Sequence, residues 1–488
     1  MIGAFKTFVL TSLFTLIGAS ILAMPAMAQY GESKTLEDEK TLEPQTLEEV
    51  LEAAYAYNSE IQARRAEVRA ADEAIVKAKA GYRPTLNLNG NVQTQTTINS
   101  GTLKNYGGVP SSSDAKSVQG GVQAEQNLFH GWDTEARVAE AESKRESTFM
   151  ELISIEQKVF ADTVTAYLTL LSLAAEVRLL KASAATAQEQ YDSSLVKLKV
   201  GEENRTSVAQ AQAQLLDYTA QLASKEAKLD GQRATFKRLT GLTPGALTKP
   251  KEFTAIPVAL TEAIDIAMEG NPDIQSKKYE ALAAEHAKIS ASSGLWPKVD
   301  LQAGSAYQKT NTKNRDVINP AMGIQPTLPY TVNNQVQSTA TLRISVPLYE
   351  GGAIRADRRA AAEISEKRRV EVETTRRSTA EMLTQQWTAF KAAKANLEYY
   401  RQQVAALEIS TEGVQLEMAA GTKILYDVLQ ERARLTQAQQ NLVGAERDYY
   451  IAGYRVMAFM GRLTSTYLNL SVQKYDAEAH YQETVDRW

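Results

Sequence analysis

Two long stretches of the chain, 131–200 and 353–420, repeat apolar residues every seven positions. In the first stretch these residues are Leu170, Val177, Ala184, Tyr191 and Leu198, and in the second they are Leu383, Phe390, Leu397, Val404 and Met418. The segments that follow, 205–240 and 424–460, have the same spacing, and strict heptads indicate helices in coiled-coil contact. Because 133–200 contains neither Gly nor Pro, we predict one continuous helix of about 100 Å, which is longer than a compact domain.

Four shorter segments alternate apolar and polar residues instead, at about 84–96, 117–130, 297–309 and 336–349. In the last of them the apolar positions are Val336, Ala340, Leu342, Ile344, Val346 and Leu348. One face is thus apolar over roughly ten residues, which is the length of a tilted strand that crosses a membrane. The alternation alone would also fit a half-buried sheet of a soluble domain, but the long helices favour membrane strands.

The whole pattern occurs twice. An offset of 213 residues superposes Pro84 on Pro297, and an offset of 220 superposes Gly131 on Gly351 and Gly201 on Gly421. We therefore predict two structural repeats, 46–240 and 259–461, each with two helices, two strands, a long helix and a returning helix. We expect an equatorial linker, 241–258, and a C-terminal equatorial segment, 462–488, to form a belt around the middle of the long helices.

The N-terminus has the layout of a cleaved signal peptide, 1–28, followed by a polar lead-in, 29–45. After Leu22 we find no uninterrupted apolar stretch near the ~18 residues of a membrane helix, so any membrane-embedded part is β-structure or lies at the membrane surface. The chain has no cysteine, which excludes disulfides and thiol chemistry. Its formal net charge of −4 argues against a nucleic-acid partner.

Four strands cannot close a membrane barrel, because the smallest such barrels have about eight. An open sheet edge in lipid leaves backbone groups unpaired, so the chain must share its strands with copies of itself. Two chains would give a barrel filled by side chains, whereas three would give twelve strands around a lumen, and we expect the trimer. Gly131, Gly351 and Gly352 lie where strands turn into helices, and Pro84 and Pro297 end the helices that precede the strands.

The order of motifs resembles that of the TolC-like family of outer-membrane efflux proteins. The residues that carry the resemblance are VPLYEGG at 346–352, GTKILYDVL at 421–429 and the ending YDAEAHYQETVDRW at 475–488. The resemblance covers nearly the whole mature chain and implies an α plus transmembrane β fold. This fold is an internally duplicated long-helix α-barrel, continuous with a 12-stranded β-barrel that a homotrimer forms with four strands per chain.

The resemblance also implies a location in the cell outer membrane, with extension into the periplasm, and a role as the exit channel of a tripartite export system. The implied partners are outer-membrane lipid, a periplasmic adaptor (membrane fusion) protein and an inner-membrane ABC or RND transporter. Type I protein secretion is the expected role and multidrug efflux is the alternative. A periplasmic coiled-coil adaptor or structural protein is a less favoured alternative.

We do not expect an enzyme, a cofactor or a metal site. The three histidines, His130, His286 and His480, are scattered along the chain. We find no phosphate-binding loop, zinc-protease motif, dinucleotide fingerprint or nucleophile elbow. The energy for transport must therefore come from a partner.

The resemblance implies that the two helix-to-helix turns, 199–210 and 419–430, form the closed periplasmic entrance. Gly421, Lys423 and Asp427 match the family's entrance motif. Threefold symmetry would place three Asp427 carboxylates around one narrow ring, which would disfavour anions and hold cations. The family departures are Lys423 for an arginine, Met418 for a tyrosine, Gln430 for a carboxylate, and Ser207 for an aspartate beside a retained Thr206.

Alternatives remain open at these positions. Thr206 and Asp427 could instead cap or solvate the starts of their helices. Val200, Gly201, Ala420 and Gly421 are the expected adaptor contacts, but these residues would also suit a plain tight turn. The aromatic residues Tyr82, Phe129, Trp132, Trp296 and Tyr349 form either a belt at the membrane interface or part of a core. We expect the loops 97–116 and 309–335 to face outside the cell.

Overall fold

The computed structural model describes residues 44–99, 111–251, 256–316 and 330–485. The predicted signal peptide, 1–28, and nearly all of the lead-in, 29–45, lie outside the described residues. The central parts of both predicted outward loops, residues 252–255 of the linker and the last three residues of the chain lie outside them as well.

The described strands form one four-stranded antiparallel sheet and one small parallel bridge. The bridge pairs β1 (Pro44–Gln45) with β4 (Ala246–Leu247). The large sheet contains β2 (Thr85–Asn99), β3 (Ser111–Phe129), β5 (Lys298–Asp316) and β6 (Tyr330–Ser345), in the order β2-β3-β5-β6. The prediction of four strands, two from each repeat, is confirmed. In the protomer, β2 and β6 are edge strands, since each pairs on one side only.

The strands extend further than the sequence predicts. The strands include residues 97–99, 111–116, 310–316 and 330–335. The loops are therefore shorter than the predicted 97–116 and 309–335. The apolar alternation fades in these polar segments, but antiparallel pairing uses backbone groups and continues through them. The predicted strand 336–349 was placed too far along the chain, because β6 ends at Ser345.

The two faces of the sheet differ in chemistry along a shared register. On one face Leu86 lies beside Ala124, Ala124 beside Ala303, and Ala303 beside Ala340. On the opposite face the row one residue on contains Asn87, Gln123, Gly304 and Thr339. Leu86 and Leu88 are mostly exposed in the protomer, at 74% and 81%. The apolar face of the sheet is thus not covered by the rest of the chain.

Nine helices make up most of the described chain. They are α1 (Leu47–Tyr57), α2 (Ser59–Lys79), α3 (Asp133–Lys199), α4 (Arg205–Thr240), α5 (Leu260–Gly270), α6 (Pro272–Ser292), α7 (Ala353–Ala419), α8 (Leu425–Phe459) and α9 (Ala477–Val485). The two long helices, α3 and α7, have 67 residues each. At 1.5 Å per residue each is about 100 Å long. In the half of α3 next to the sheet, α2 and α6 pack beside it, and α4 and α8 pack beside its other half.

Corresponding asparagines organise both repeats. Asn58 caps α2 by accepting a hydrogen bond from the Glu60 amide, and Asn271 caps α6 by accepting from Asp273. The Asn58 side-chain amide also donates to the carbonyl of Leu239, at the end of α4, and Asn271 donates to Phe459, at the end of α8. Each asparagine therefore starts one helix and holds the end of the returning helix beside it.

An equatorial core lies where α2 and α4 meet beside α3. It contains Val159, Phe160, Val164 and Tyr167 of α3 with Val50, Leu51, Phe236 and Leu463. The Tyr167 hydroxyl lies 2.6 Å from the Thr248 carbonyl oxygen and 2.9 Å from that of Gln45, so it ties both bridge strands to α3. A smaller core around Leu383, Trp387 and Met460 occupies the same place in the second repeat.

The C-terminal segment begins at this level and then leaves it. Backbone amides of Ser471 and Tyr475 donate to Glu52 and Tyr55 of α1. Beyond them α9 packs along α2, where the buried Asp72 accepts from Arg145 Nε at 3.1 Å and lies 2.8 Å from His480 Nδ1. The segment predicted as equatorial thus also covers the sheet-proximal half of α2.

One stretch of α3 has the length and hydropathy of a membrane helix. Most of that stretch is buried inside the protein, and the equatorial core lies on the same helix. Its apolar character therefore serves helix packing.

Candidate functional site

The two hairpin tips at the far ends of the long helices have the same backbone. In the first, Gly201 follows α3 with φ +82°, and in the second, Gly421 follows α7 with φ +81°. The amides of Glu202 and Thr422 donate to carbonyls five residues back, at 2.9 Å each, which closes a Schellman turn. A Cβ at either position would meet no atom within 4 Å, so lack of space is not the reason for glycine. Glycine is needed because the backbone is left-handed at both positions.

Both tips present apolar side chains to solvent. Val200 is 66% exposed beside the first glycine, and Ile424 is 66% exposed after the second. Ala420 and Gly421 are exposed as well. Each tip therefore has an exposed apolar side chain close to its turn, which is compatible with an adaptor contact and with a plain tight turn.

The start of α4 uses a cap that the sequence analysis missed. Asn204 is the N-cap, and its side-chain oxygen accepts from the Ser207 amide at 2.8 Å and from the Ser207 hydroxyl at 3.2 Å. Thr206 lies exposed on the first turn and is not the cap of this helix, so its place is the solvated helix start that the alternative also allowed. The signal was present, since an asparagine at this distance before a buried valine is a usual helix start.

The start of α8 uses Asp427 itself. Its Oδ2 accepts from the Ile424 amide at 3.3 Å, so in the protomer this half-buried carboxylate closes the first turn of the helix. Lys423 and Gln430 are exposed, and in the described chain no ion pair joins Lys423 to Asp427. Capping by Asp427 and a place in a charged ring are compatible, because the cap uses one of two carboxylate oxygens.

The structure also brings together a tip cluster that the sequence did not predict. Ala211, Leu425 and Leu429 are buried, with Tyr191 and Met418 packed against them. These five residues come from α3, α4, α7 and α8, so the cluster joins the two hairpins. At the positions where the family has a tyrosine and an aspartate, Met418 packs against the apolar tip cluster and Ser207 bonds to Asn204, the cap of its own helix.

At the other end of the helices, the two strand-to-helix junctions differ. A Cβ on Gly131, with φ +65°, would lie 2.6 Å from the Ser293 carbonyl oxygen, so only glycine fits there. Gly351 and Gly352 also have positive φ, but a Cβ on either would meet open space. Gly131 is therefore required both by its left-handed backbone and by the lack of space, whereas Gly351 and Gly352 are required by the left-handed backbone alone. Pro84 and Pro297 each follow a short 3₁₀ turn, at Ala80–Tyr82 and Ser293–Leu295.

Aromatic side chains gather at these junctions. Trp132 stacks edge to face with Phe129 at 5.2 Å and with Trp296 at 4.9 Å between ring centroids. The two tryptophans are each 47% exposed, and Tyr349 is 87% exposed. Tyr82 is about half exposed too. The group is therefore no closed core, and its partly exposed rings lie where the apolar face of the sheet ends.

Within the described ranges, no group of three or more His, Asp or Glu side chains is arranged to hold a metal ion. His130 Nε2 lies 2.7 Å from Asp300 Oδ1 at the base of the sheet. His480 pairs with Asp72, which lies in a distant part of the sequence.

Comparison with known proteins adds to this geometry. The family model "Outer membrane efflux protein" matches residues 50–242 and again 263–462, so it finds the two repeats separately. The outer membrane efflux protein BepC of Brucella suis biovar 1 is 28% identical over 444 residues, which cover 91% of each chain. The outer membrane protein TolC of Escherichia coli K12 is 24% identical and covers 86% of this chain and 83% of its own.

Two further matches are a relative by sequence, whose name contains a function, and a solved structure with a similar fold. The alkaline protease secretion protein AprF of Pseudomonas aeruginosa is 22% identical over 65% of this chain and 64% of its own. The crystal structure of the Campylobacter jejuni CmeC outer membrane channel superposes with a TM-score of 0.71 at 15% identity, covering 90% of this chain and 89% of that one. The predicted fold of long helical hairpins joined to a four-stranded sheet is thereby confirmed.

Proposed function

Because the chain belongs to the outer membrane efflux protein family, we propose that it is one subunit of a homotrimeric exit channel in a tripartite export system. The family consists of outer-membrane transport proteins and not of enzymes, and the chain is an outer-membrane protein. The periplasmic coiled-coil adaptor considered above is therefore set aside. The finer points below are proposals: the subunit number, the entrance, the partners and the cargo.

The four-stranded sheet carries this proposal. One of its faces is apolar and exposed, the other bears amides and hydroxyls, and both edge strands, β2 and β6, have a free side. Free backbone groups are costly in hydrocarbon, so β6 of one subunit pairs with β2 of the next. Three subunits close a barrel of twelve strands with the polar faces around water, and the half-exposed tryptophans at its base lie at the membrane interface.

The hairpin tips form the periplasmic entrance in this arrangement. With the sheet in the outer membrane, helices of about 100 Å carry the tips across most of the periplasm. Three copies of Asp427 surround the opening. The same hairpin tips carry Lys423, Gln430, Met418, Thr206 and Ser207. The exposed apolar turns at Val200, Gly201, Ala420 and Gly421 bind a periplasmic adaptor, which in turn connects to an inner-membrane ABC or RND transporter.

For the cargo, we propose proteins exported by type I secretion. The name of AprF assigns alkaline protease secretion to that relative, and this supports the proposal. The name of BepC contains efflux, and this favours multidrug efflux as the second candidate.

Deletion of the gene tests the role and separates the two candidates. We expect the deletion strain to lose specific proteins from the culture medium while its sensitivity to dyes, detergents and antibiotics changes little. A strain that becomes drug-sensitive with an unchanged secretome would support efflux instead. A strain that changes in neither respect would count against export, as would recovery of the protein outside the outer-membrane fraction.

A further inference from the structure

Three lysines lie on the face of the sheet that is otherwise apolar. Lys309 and Lys313 are on β5 and Lys116 is on β3, at the same alternating positions as Ala303 and Ala124 nearer the helices. All three lysines are exposed in the protomer. They occupy the end of the sheet that is away from the long helices, where the apolar face stops.

The strand register brings the three lysines together. Lys116 of β3 lies directly opposite Asn311 of β5. Lys309 and Lys313 are two residues before and two residues after Asn311, so both are diagonal neighbours of Lys116 on the same face. Diagonal neighbours are about 7–8 Å apart, which is within reach of long side chains. The three ammonium groups can therefore contact one anionic group together.

Little of this charge is neutralised by the protein. Asp114 lies opposite Lys313 and accepts a hydrogen bond from the Thr96 hydroxyl at 2.8 Å. Within the described ranges, none of the three lysines forms an ion pair. Lys313 Nζ lies 6.0 Å from the centre of the Tyr330 ring, a contact that leaves its N–H groups available. Three cations beside one acid keep this part of the face positive.

The opposite face of the same two strands carries no charge at this level. From 113 to 123 on β3 and from 302 to 314 on β5, its residues are Ser, Thr, Ala, Gly, Asn and Gln. Solubility alone does not favour the apolar face over this polar one. Lysines also protect sheet edges from pairing, but β3 and β5 are both inner strands. The position of the three lysines therefore needs another reason.

The height of the lysines above the base of the sheet matches the thickness of a membrane. On β5 the apolar face begins with Val299 and Leu301, and its first lysine is Lys309. About ten residues at about 3.4 Å each, tilted by about 40°, span about 26 Å, and the apolar band of a membrane barrel is about 25 Å tall. Tyr307 and Tyr330, which are 46% and 57% exposed on this face, lie at the same level, as is typical of a membrane interface.

We propose that Lys116, Lys309 and Lys313 bind the phosphate groups of a lipid in the outer leaflet of the outer membrane. This inference rests on the proposed function, which places the sheet in that membrane with the helices in the periplasm. The acyl chains of the lipid lie along the exposed Val118 and Val122 below, and its phosphates meet the lysines directly above. Free phosphate would gain only the second contact, so an amphipathic ligand suits the surface better.

The test uses the purified full-length protein and two probes, diphosphoryl lipid A and its dephosphorylated form. Native mass spectrometry of the protein released from detergent micelles counts the lipids that stay bound. We expect the wild type to bind the diphosphoryl form more tightly by about tenfold or more, because each lysine near an anionic lipid adds attraction. Free inorganic phosphate at the same concentration should not displace it.

Substitutions assign this preference to the lysines. Lys309→Gln should weaken the binding of diphosphoryl lipid A, and the combined change of Lys116, Lys309 and Lys313 to Gln should abolish most of the preference for phosphate. Lys298→Gln is the matched control, because Lys298 is an exposed lysine on the same strand, at the base of the sheet and on the opposite face. It should leave binding unchanged.

A depth measurement checks the position of the surface independently of binding. The chain has no cysteine, so Asn334→Cys provides a single labelling site, and Asn334 lies directly opposite Lys309 on the same face. In vesicles that contain lipid A, a fluorophore at this site should be quenched more strongly by a quencher on the lipid head group than by one at the end of an acyl chain or in the water.

Several results would overturn the proposal. These are equal binding of both lipid forms, an unchanged preference for phosphate in the triple variant, displacement of lipid A by free phosphate, and a label at Asn334→Cys that is quenched mainly from water or from the acyl ends. A protein that inserts into vesicles as a closed oligomer and gives any of these results refutes this inference alone. A protein that does not insert contradicts the proposed function. If the triple variant does not fold, the two lipid forms and Lys309→Gln still decide the result.

Discussion

The equator and the tips of the hairpins are joined in different ways. At the equator, Phe160, Tyr167 and Phe236 are almost fully buried, and segments from six parts of the chain pack around α3. At the tips, three buried residues and two partly buried ones hold the hairpins together, and the interface above them is polar. The helices are therefore anchored at mid-length, while little apolar burial holds together the ends that we propose as the entrance.

The largest effect that we expect comes from the equator. Phe160→Ala should lower the free energy of unfolding by about 3–5 kcal/mol, because it leaves a cavity in the densest part of the protein. Hydrogen exchange should accelerate in α1, α3, α4 and the C-terminal segment together. Phe160→Leu is the matched control and should cost less. A Phe160→Ala protein as stable as the wild type would show that the equator is not the anchor.

A comparable truncation at the tip should act more locally. Leu429→Ala removes a central contact of the tip cluster and should cost about 2 kcal/mol, at the low end for buried leucines, because the cluster is small and can collapse. We expect faster hydrogen exchange at 199–210 and 419–430, with α1 and α9 unchanged. If exchange accelerates at the equator as well, the two regions are one cooperative unit and the contrast fails.

Two substitutions of Asp427 distinguish its role at the helix start from the effect of its charge. Asp427→Ala should lose the hydrogen bond from the Ile424 amide that closes the first turn of α8, worth about 1 kcal/mol. Both Asp427→Ala and Asp427→Asn should reduce cation selectivity in planar bilayers. The asparagine keeps a side-chain oxygen for the Ile424 amide, so its helix start should be nearly as stable as in the wild type. Equal cation selectivity of the wild type and both variants would contradict the proposal that three Asp427 carboxylates form a ring at the entrance.

Gly413 lies inside α7, where the helix continues unbroken to Ala419. A Cβ there would meet no atom within 4 Å in the protomer. Gly413→Ala should therefore stabilise the protein by about 0.5–1 kcal/mol through lower backbone entropy in the unfolded chain. Chemical denaturation of the detergent-solubilised protein measures this change. A loss of stability would mean that another subunit approaches this position closely.

The smallest effect concerns the buried Glu156 at the equator. Burial raises the pKa of this carboxyl above its ordinary value, although the Ser465 amide and the charges of Arg65 and Lys474 act in the opposite direction. Its protonated form thus favours folding below the unfolded-state pKa, and this contribution is lost as pH rises through the folded-state pKa.

Glu156→Gln resembles the protonated acid and can still accept from Ser465. We expect the variant to melt slightly higher than the wild type at neutral pH, and the difference should shrink as the pH is lowered. A difference in melting temperature that grows toward acid pH would contradict the sign of this pKa shift.

Long-range architecture could be predicted from the sequence because its causes are local and repeated. Heptads without Gly or Pro set the length of α3, and alternation repeated at offsets of 213 and 220 residues identified both strand pairs. Asn271 followed by Pro272 is a helix-start signature that the sequence itself shows, and the structure has Asn271 as the N-cap of α6. Each of these signals depends on chain neighbours, so no knowledge of distant contacts is needed.

The parts that were missed depend on contacts between distant segments. Tyr191 and Met418 both stand in heptad series, but nothing local shows that they meet in one cluster. The helix α9 has little apolar periodicity and is held by Asp72 and Arg145, hundreds of residues earlier. Polar strand ends continue because a partner strand is present beside them, which the sequence of one strand cannot show.

Counting the subunits in a lipid environment tests the central claim most directly. We would purify the protein from outer membranes, place it in lipid nanodiscs and determine its structure by electron cryomicroscopy. Three chains that close one twelve-stranded barrel, with β6 of each subunit paired to β2 of the next, would be the result that we predict. A monomer whose β2 and β6 pair with each other, or an assembly whose sheet edges stay open in lipid, would contradict the account.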